Sequence, residues 1–206
     1  MIKPFFFILS PALLTGLAHA QPKASPYPPE VPRPTYSEVS YGKHERNVLD
    51  FWKAASKAPA PVAFVIHGGG WKGGSKERLP RFADPNALLK AGISVAAINY
   101  RYVTATEKPP VKAPLHDAAR ALQFVRSKAR EWNVDKKRIG AAGGSAGACS
   151  SLWLAFHDDL ADPTSKDPVA RESSRLSCAA VTGAQTTLDP KQMKEWTPNS
   201  KYGGHA

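Results

Sequence analysis

Apolar residues gather along this chain in short runs, which are separated by longer segments with a helical repeat. The runs predict four strands, at residues 62–66, 93–98, 138–142 and 176–181. The first is an unbroken apolar run, as is typical of a strand buried on both faces of a sheet, and the second and fourth are also predicted to be buried strands. Two more candidates, residues 36–41 and 46–52, are separated by only a short loop and are predicted to form an antiparallel hairpin.

Three segments are predicted to be helices, at residues 86–90, 114–132 and 146–157. The second is the strongest, and its apolar side chains fall on one face: Leu115, Ala118, Leu122, Val125, Ala129 and Trp132. Strands that alternate with helices favour parallel pairing through right-handed crossovers. We therefore predict an α/β fold, with a mostly parallel sheet, helices on both faces and an antiparallel N-terminal hairpin.

Length and composition fit a single domain of this kind at residues 36–206. The chain has 206 residues, of which 42% are hydrophobic and 22% are charged, the balance of an ordinary globular protein. Residues 21–35 hold six prolines, which favours an extended linker without packed structure. Residues 158–174 are polar and are predicted to be a surface excursion.

The formal net charge is +11. No basic helix and no face of arginines and aromatics concentrates this charge, which argues against nucleic-acid binding. We interpret it as solvated lysines and arginines on a soluble protein. Attraction to an anionic polymer or a cell surface is the alternative.

The first twenty residues are predicted to be a signal peptide. Lys3 gives a positive start, residues 5–17 are mostly apolar, and Ala18-His19-Ala20 matches the small-x-small cleavage pattern. We expect cleavage after Ala20 and a secreted or periplasmic protein. No second long apolar stretch follows in the sequence, so no membrane span is expected in the mature chain.

Cys149 and Cys178 are the two cysteines of the chain. In an exported protein such a pair can form a disulfide. Cys149 falls in a predicted helix and Cys178 in a predicted buried strand, so we favour buried free thiols. Two cysteines without histidines at ligand spacing predict no metal site.

Two glycine-rich motifs carry the candidate chemistry. The first reads Gly143-Gly144-Ser145-Ala146-Gly147, and the second reads His67-Gly68-Gly69-Gly70-Trp71. A Gly-x-Ser-x-Gly turn between strand and helix presents a serine hydroxyl, so Ser145 is the predicted nucleophile. The N–H groups of Gly69, Gly70 and Ala146 are the predicted donors to a developing oxyanion. A phosphate-binding loop would instead place Gly-Lys-Ser/Thr after the glycines, where this chain has a tryptophan and Lys72.

Together these motifs resemble the α/β-hydrolase fold, and within it the esterases and lipases that have a His-Gly-Gly-Gly loop. That branch includes hormone-sensitive-lipase-like carboxylesterases, bacterial feruloyl and acetyl esterases, and kynurenine formamidases. The resemblance covers roughly residues 36–187, and Trp71 leans toward the feruloyl-esterase and formamidase-like members. It implies a small-molecule or polysaccharide-linked ester as substrate, with no cofactor and no metal.

The resemblance also suggests supporting roles for residues near the two motifs. His67 precedes the serine, whereas the triad histidine of this fold follows it, so we expect His67 and Trp71 to support the loop. A merely exposed histidine is the alternative. Arg101 follows a strand and Asp117 lies in the next helix, and we expect a structural ion pair between them rather than a catalytic one.

The other members of a catalytic triad are not evident after Ser145. The fold requires an acid and then a histidine, each after a later strand. His157 should be carried away by the rise of its helix, and Asp189 with His205 is an alternative pair. We therefore expect the sequence to stop about two strands short of the fold. The triad acid and histidine would then lie beyond Ala206, and the chain would be at best weakly active.

The predicted function is that of an exported serine hydrolase. It would cleave carboxylic esters through an acyl-serine intermediate with a backbone oxyanion hole. An aryl-formamidase or amidase with the same site is one alternative. A non-catalytic hydrolase-like scaffold that binds a ligand or a partner is the other.

Overall fold

The computed structural model describes residues 25–104, 106 and 109–196, so the predicted signal peptide lies outside the described residues. The described strands are β1 (Tyr36–Ser40), β2 (Val48–Trp52), β3 (Ala60–Ile66), β4 (Ser94–Ile98), β5 (Val134–Gly144) and β6 (Cys178–Thr182). They form one sheet in the order β1-β2-β4-β3-β5-β6. β1, β2 and β4 pair antiparallel in turn, whereas β4, β3, β5 and β6 are parallel. The mostly parallel sheet with its antiparallel hairpin confirms the predicted fold class.

Helices cover both faces of the sheet. They are a 3₁₀ helix (Lys76–Arg81), α1 (Pro85–Lys90), α2 (Lys112–Ser127), α3 (Ala129–Trp132), α4 (Ala146–Phe156) and α5 (Pro190–Trp196). In β3, Phe64 and Ile66 point into a core with residues of α2, α3 and α4. Val65 points to the other face, where residues of α1 and the 3₁₀ helix meet it. The strands are thus apolar on both faces, as expected for parallel strands sandwiched between helices.

The predicted helix at residues 114–132 is two helices in the structure. α2 ends at Ser127, and the N–H of Lys128 turns back to the carbonyls of Phe124 and Val125. α3 ends at Trp132, its C-cap residue Asn133 has a left-handed φ of 57°, and β5 begins at the next residue. Among the described residues, no helix has both the length and the apolar character needed to cross a membrane.

The expectation of an unpacked proline-rich linker is wrong for residues 25–35. Tyr27 and Val31 are buried in the apolar cluster around Trp52. The Tyr27 hydroxyl donates to Asp50 at 2.7 Å, and the Trp52 indole donates to the Pro32 carbonyl at 2.7 Å. Prolines keep the backbone extended, but two large side chains are enough to bury this segment against the sheet.

β6 is less buried than its apolar sequence suggests. It is the last strand in the sheet order, and its residues alternate between exposed and half-buried. α4 covers one face of β6, whereas Cys178 lies on the face that the described residues leave open. Cys149 is buried as expected, and both cysteines are free thiols. The prediction of a buried Cys178 is therefore wrong.

The polar segment at residues 158–174 contains no helix or strand, but it is not loose. The buried Gln123 side chain of α2 donates to the carbonyls of Leu160 and Glu172. One turn later Arg126, also buried, donates to the carbonyls of Lys136 and Ser173. These two side chains donate to carbonyl groups of residues 158–174 that no helix or strand pairs, and Arg126 also ties the segment to β5.

Candidate active site

Ser145 occupies a strained turn between β5 and α4. Its φ of 54° and ψ of −122° are unfavourable for a residue with a side chain. The turn packs tightly on β3, because a Cβ at Gly147 would lie 2.0 Å from the Ile66 carbonyl oxygen and one at Gly143 would lie 2.6 Å from it. Only glycine fits at these two positions, and this explains the Gly-x-Ser-x-Gly spacing. The side chain of Ser145 is half-buried and lines a pocket.

The glycine loop lies beside this serine because β3 and β5 are parallel neighbours. Ile66 pairs with Gly143, so both strands end at the same edge of the sheet. A Cβ at Gly68 would lie 3.5 Å from the Ser145 Cβ and 2.6 Å from the Gly144 carbonyl oxygen. The loop and the elbow are therefore in direct contact.

The loop backbone leaves N–H groups available for a ligand. Gly69 has φ 122° and Gly70 has φ 60°, and the Gly69 carbonyl accepts the N–H groups of Lys72 and Gly73. Among the described residues, the N–H groups of Gly69 and Gly70 have no acceptor. Ala146 is the first residue of α4, where an N–H has no partner within the helix.

A pocket of about 550 Å³ opens in front of Ser145. It is lined by Gly68, Gly69, Arg78, Arg81, Phe82, Gly144, Ser145, Thr182, Gly183 and Gln185. The serine, one predicted donor and the neighbouring glycines thus share one cavity, while Gly70 and Ala146 lie just outside its lining. The end of β6 closes one side, where the Thr182 carbonyl accepts the Ser145 N–H at 3.1 Å.

His67 lies under the loop and does not contact the serine hydroxyl. Its Nδ1 is 2.8 Å from the Gly68 carbonyl oxygen, and its ring stacks on Tyr100 with 4.2 Å between centroids. The Tyr100 hydroxyl donates to the His67 carbonyl at 2.8 Å. Burial lowers the pKa of His67 to about 4, so the imidazole is neutral at neutral pH. A neutral ring can donate Nδ1–H to the Gly68 carbonyl and so hold the loop.

Trp71 links the glycine loop to α4. It is buried, and its indole N–H donates to the Ser150 hydroxyl at 3.0 Å. Ser150 in turn donates to the Ala146 carbonyl at 2.9 Å. Ser150 has no role in the sequence prediction. The one available indication was that Ser150 lies one helical turn after Ala146, on the same face of the helix.

Arg101 and Asp117 form an ion pair behind the loop. The Arg101 guanidinium donates to both Asp117 oxygens, at 2.7 and 2.9 Å, and the Arg101 N–H also donates to Asp117. Asn47 adds a further bond to this carboxylate at 2.8 Å. The pair ties the segment after β4 to α2 and so fixes Tyr100 beside His67.

The two charged residues of the pocket lining lie outside the sequence prediction. Arg78 and Arg81 belong to the 3₁₀ helix that follows the glycine loop, and both are exposed on the pocket wall. Nothing in their local sequence distinguishes them from the other solvated arginines of the chain.

The described residues place no general base at Ser145, whose hydroxyl makes no hydrogen bond within them. His157 lies at the far end of α4, where its ring packs on Trp153. Asp189 precedes α5 and accepts the N–H groups of Lys191 and Gln192, which is the geometry of a helix N-cap. His205 lies outside the described residues.

Comparison with known proteins identifies the family of the chain. The BD-FAE family model matches residues 49–203. The probable carboxylic ester hydrolase LipM of Mycobacterium tuberculosis is 34% identical over 150 residues, which are 69% of this chain and 32% of that protein. Gut esterase 1 of Caenorhabditis elegans is 30% identical over 162 residues, or 76% of this chain and 28% of that protein. The chain thus spans about a third of the length of these relatives.

Solved structures have the same architecture. The acetyl ester-xyloside bifunctional hydrolase of Caldicellulosiruptor lactoaceticus is 28% identical, with a TM-score of 0.62 over 78% of this chain and 61% of that one. Esterase 2 of Thermogutta terrifontis, phosphonylated by sarin, is 26% identical, with a TM-score of 0.65 over 83% of this chain and 62% of that one.

Proposed function

The chain belongs to the BD-FAE family of the α/β-hydrolase fold, and on that premise we propose that it hydrolyses carboxylic esters through an acyl intermediate on Ser145. The observation that carries the proposal is the position of Ser145. It lies on a strained turn, in a pocket, beside a loop whose N–H groups lack acceptors among the described residues. That arrangement is suited to acyl transfer.

In the proposed reaction the Ser145 hydroxyl oxygen attacks the ester carbonyl and the hydroxyl proton passes to a base. The carbonyl oxygen becomes negative and accepts hydrogen bonds from the N–H groups of Gly69, Gly70 and Ala146. The carbon–oxygen bond to the alcohol then breaks, and the alcohol leaves with the proton. Water hydrolyses the acyl-serine and regenerates the enzyme. His67 and Trp71 act only by holding the loop.

The relatives support the coarse class of substrate. Several are named as esterases, and one structural relative is named as acting on an acetyl ester and a xyloside. We propose a small-molecule or polysaccharide-linked ester for this chain. Neither a cofactor nor a metal is required by the proposed steps.

The decisive experiment combines covalent labelling with turnover. We expect a fluorophosphonate probe to label Ser145, and an aryl acetate to be hydrolysed faster than in buffer. Ser145→Ala should abolish labelling, and in a form of the protein that holds the triad base it should lower turnover by about 10³-fold or more. Ser37→Ala, which changes an exposed serine of β1, is the matched control and should do neither.

The outcomes separate the candidate functions. Absence of both labelling and hydrolysis would favour a hydrolase-like scaffold. Faster hydrolysis of an aryl formamide than of the matched aryl acetate would favour an amidase. Unchanged turnover in Ser145→Ala would contradict the nucleophile assignment.

We also propose that the protein is exported, with Gln21 as the first residue of the mature chain. The support is the succession of Lys3, the apolar residues 5–17 and the Ala18-His19-Ala20 pattern. N-terminal sequencing of protein recovered from the periplasm or medium tests this. An intact Met1 in that material would contradict it.

A further inference from the structure

The pocket in front of Ser145 has two chemically different walls. One wall is backbone, formed by the glycine loop and the elbow. A second wall comes from the 3₁₀ helix and its C-cap residue, from which Arg78, Arg81 and Phe82 line the cavity. The arginines are the charged residues of the lining, and no acidic residue is among the described residues that line it.

The geometry of the 3₁₀ helix explains why both arginines reach the pocket. A 3₁₀ helix has three residues per turn, so side chains at i and i+3 share a face. Arg78 and Arg81 are three apart and both are exposed, whereas Lys76 and Leu79 are three apart and both are buried. One face of the helix therefore anchors it to the sheet, and another presents two guanidinium groups to the cavity.

The buried face holds the helix in place. The Lys76 ammonium lies among the carboxylates of Glu38, Asp50 and Glu77, at 3.1 Å from Asp50 and 2.7 Å from Glu77. Burial alone would lower the pKa of Lys76, but hydrogen bonds to Glu38 and Glu77 and the negative charge of Asp50 raise it above its ordinary value. The Lys76 N–H also donates to the Asn99 side chain at 2.7 Å. The positions of the two arginines are thus set by a charged, hydrogen-bonded anchor.

The positive charges of Arg78 and Arg81 are not paired with a carboxylate of the described residues. Among the described residues, neither guanidinium forms a hydrogen bond or an ion pair. By contrast, the guanidiniums of Arg101, Arg120 and Arg138 are each paired with a carboxylate. Two adjacent unpaired positive charges beside a nucleophile favour a ligand with negative oxygen atoms.

We propose that Arg78 and Arg81 are specificity-determining residues that bind a carboxylate carried by the ester substrate. The inference rests on the proposed ester hydrolysis and names its substrate class: esters with a carboxylate in the acyl or the alcohol part. The planar guanidinium matches a carboxylate with two parallel hydrogen bonds, which a neutral ester cannot supply.

The test uses two pairs of esters that differ only in this charge. In the first pair, 4-nitrophenyl hydrogen glutarate carries the carboxylate in the acyl part and 4-nitrophenyl methyl glutarate is its neutral partner. 4-Acetoxybenzoate and its methyl ester place it in the alcohol part. The measured quantity is the ratio of kcat/KM for the anionic ester to that for its neutral partner. Within a pair, comparison between variants cancels the intrinsic difference in ester reactivity.

We expect Arg78→Gln and Arg81→Gln each to lower this ratio about fivefold for at least one pair, as for an exposed charge pair at the upper end of its range. The double variant should lower it further. Raising the salt concentration from about 0.02 M to about 0.5 M should also lower the ratio of the wild type. The pair that responds identifies which half of the substrate carries the carboxylate.

Arg130→Gln is the matched control. Arg130 is exposed on α3, which precedes β5 and so lies at the opposite edge of the sheet from Ser145. An equal fall of the ratio in Arg130→Gln would overturn the inference, because net charge alone would then explain the preference. An unchanged ratio in the double variant would overturn it as well.

Failure of the proposed function gives a different result. If none of the four esters is hydrolysed, saturation-transfer NMR compares the binding of 4-acetoxybenzoate with that of its methyl ester in the wild type and the double variant. Stronger binding of the anion that the double variant loses would support the arginine site without catalysis. Equal binding of the two compounds would overturn it.

Discussion

The two walls of the pocket are built by different means. The backbone wall (Gly68, Gly69, Gly144 and Ser145) offers N–H groups and a hydroxyl, and it stands on the parallel strands β3 and β5. The arginine wall (Arg78, Arg81 and Phe82) offers side chains on a short helix that one buried lysine anchors. The first wall tolerates almost no added atom, whereas the exposed face of the second can change without disturbing a packed contact. We infer that the strands fix the positions of the serine and the N–H donors. The arginines of the second wall determine which ester binds.

The largest expected effect comes from adding one methyl group to the elbow. In Gly147→Ala the new Cβ would lie 2.0 Å from the Ile66 carbonyl oxygen and 2.8 Å from that of His67. We expect a loss of about 4 kcal/mol in the free energy of unfolding and loss of fluorophosphonate labelling. Urea denaturation and labelling measure the two effects.

Gly73→Ala is the matched control, because nothing lies within 4 Å of a Cβ at that position. It should change stability by no more than about 0.5 kcal/mol. Similar losses of stability in both variants would mean that the close contact between the elbow and β3 is not the reason why the backbone wall excludes a side chain.

The anchor of the arginine wall should give the next largest effect. Lys76→Met leaves three neighbouring carboxylates without their cation, and Asp50 is buried. We expect a loss of about 3 kcal/mol, the low end for a broken buried pair, because Glu38 is largely exposed. Thermal denaturation checks this, with Lys128→Met, which breaks an exposed pair with Glu131, as the control.

The same variant sharpens the comparison between the walls. If they are held independently, Lys76→Met should reduce the preference for anionic esters more than it reduces labelling of Ser145. Equal loss of both would show that the lysine anchor supports the whole pocket.

The backbone wall could be predicted from the sequence because its geometry excludes side chains. A Cβ at Gly143, Gly147 or Gly69 would collide with the backbone, so glycine is required at each of these positions. The spacing of the glycines in the sequence therefore indicates the contact. The arginine wall requires no particular residue type, so no sequence pattern indicates it. An exposed arginine on a short helix looks the same in sequence whether it faces a pocket or solvent, and only the fold brings Arg78 into the pocket that Gly68 also lines.

The fold shows the same division. The parallel strands could be predicted because residues 62–66 of β3 form a continuous apolar run and β4 is apolar apart from Ser94. The packing of residues 25–35 could not, because it depends on Tyr27 and Val31 reaching Trp52, which is distant in sequence. The exposure of β6 could not be predicted either, because an apolar run does not specify whether the strand lies inside the sheet or at its edge.

A smaller effect is expected from acid, through the histidine under the backbone wall. The folded pKa of His67, about 4, lies below its ordinary value of 6.5. Between these values the unfolded chain binds a proton that the folded chain does not, so stability is lost as the pH falls through this window. At about pH 5 this amounts to about 2 kcal/mol relative to neutral pH.

Urea denaturation at the two pH values measures the loss, and His67→Gln isolates its source. Glutamine does not titrate, so the variant should show a pH dependence smaller by the same amount. If the variant keeps the full dependence, the lost stability belongs to other groups and His67 is not held neutral by burial.

The smallest predicted effect concerns the link between the glycine loop and α4. Trp71 donates to the Ser150 hydroxyl, and Ser150 donates to the Ala146 carbonyl. Ser150→Ala leaves the buried indole N–H unpaired, and Trp71→Phe removes that N–H. The double variant should therefore cost about 1 kcal/mol less than the sum of the single variants, since an unpaired polar group is penalised only while it is present. A double-mutant cycle of unfolding free energies measures this coupling. Simple additivity would show that the hydrogen bond does not join the two halves of the backbone wall, and that apolar packing of the indole alone positions the loop.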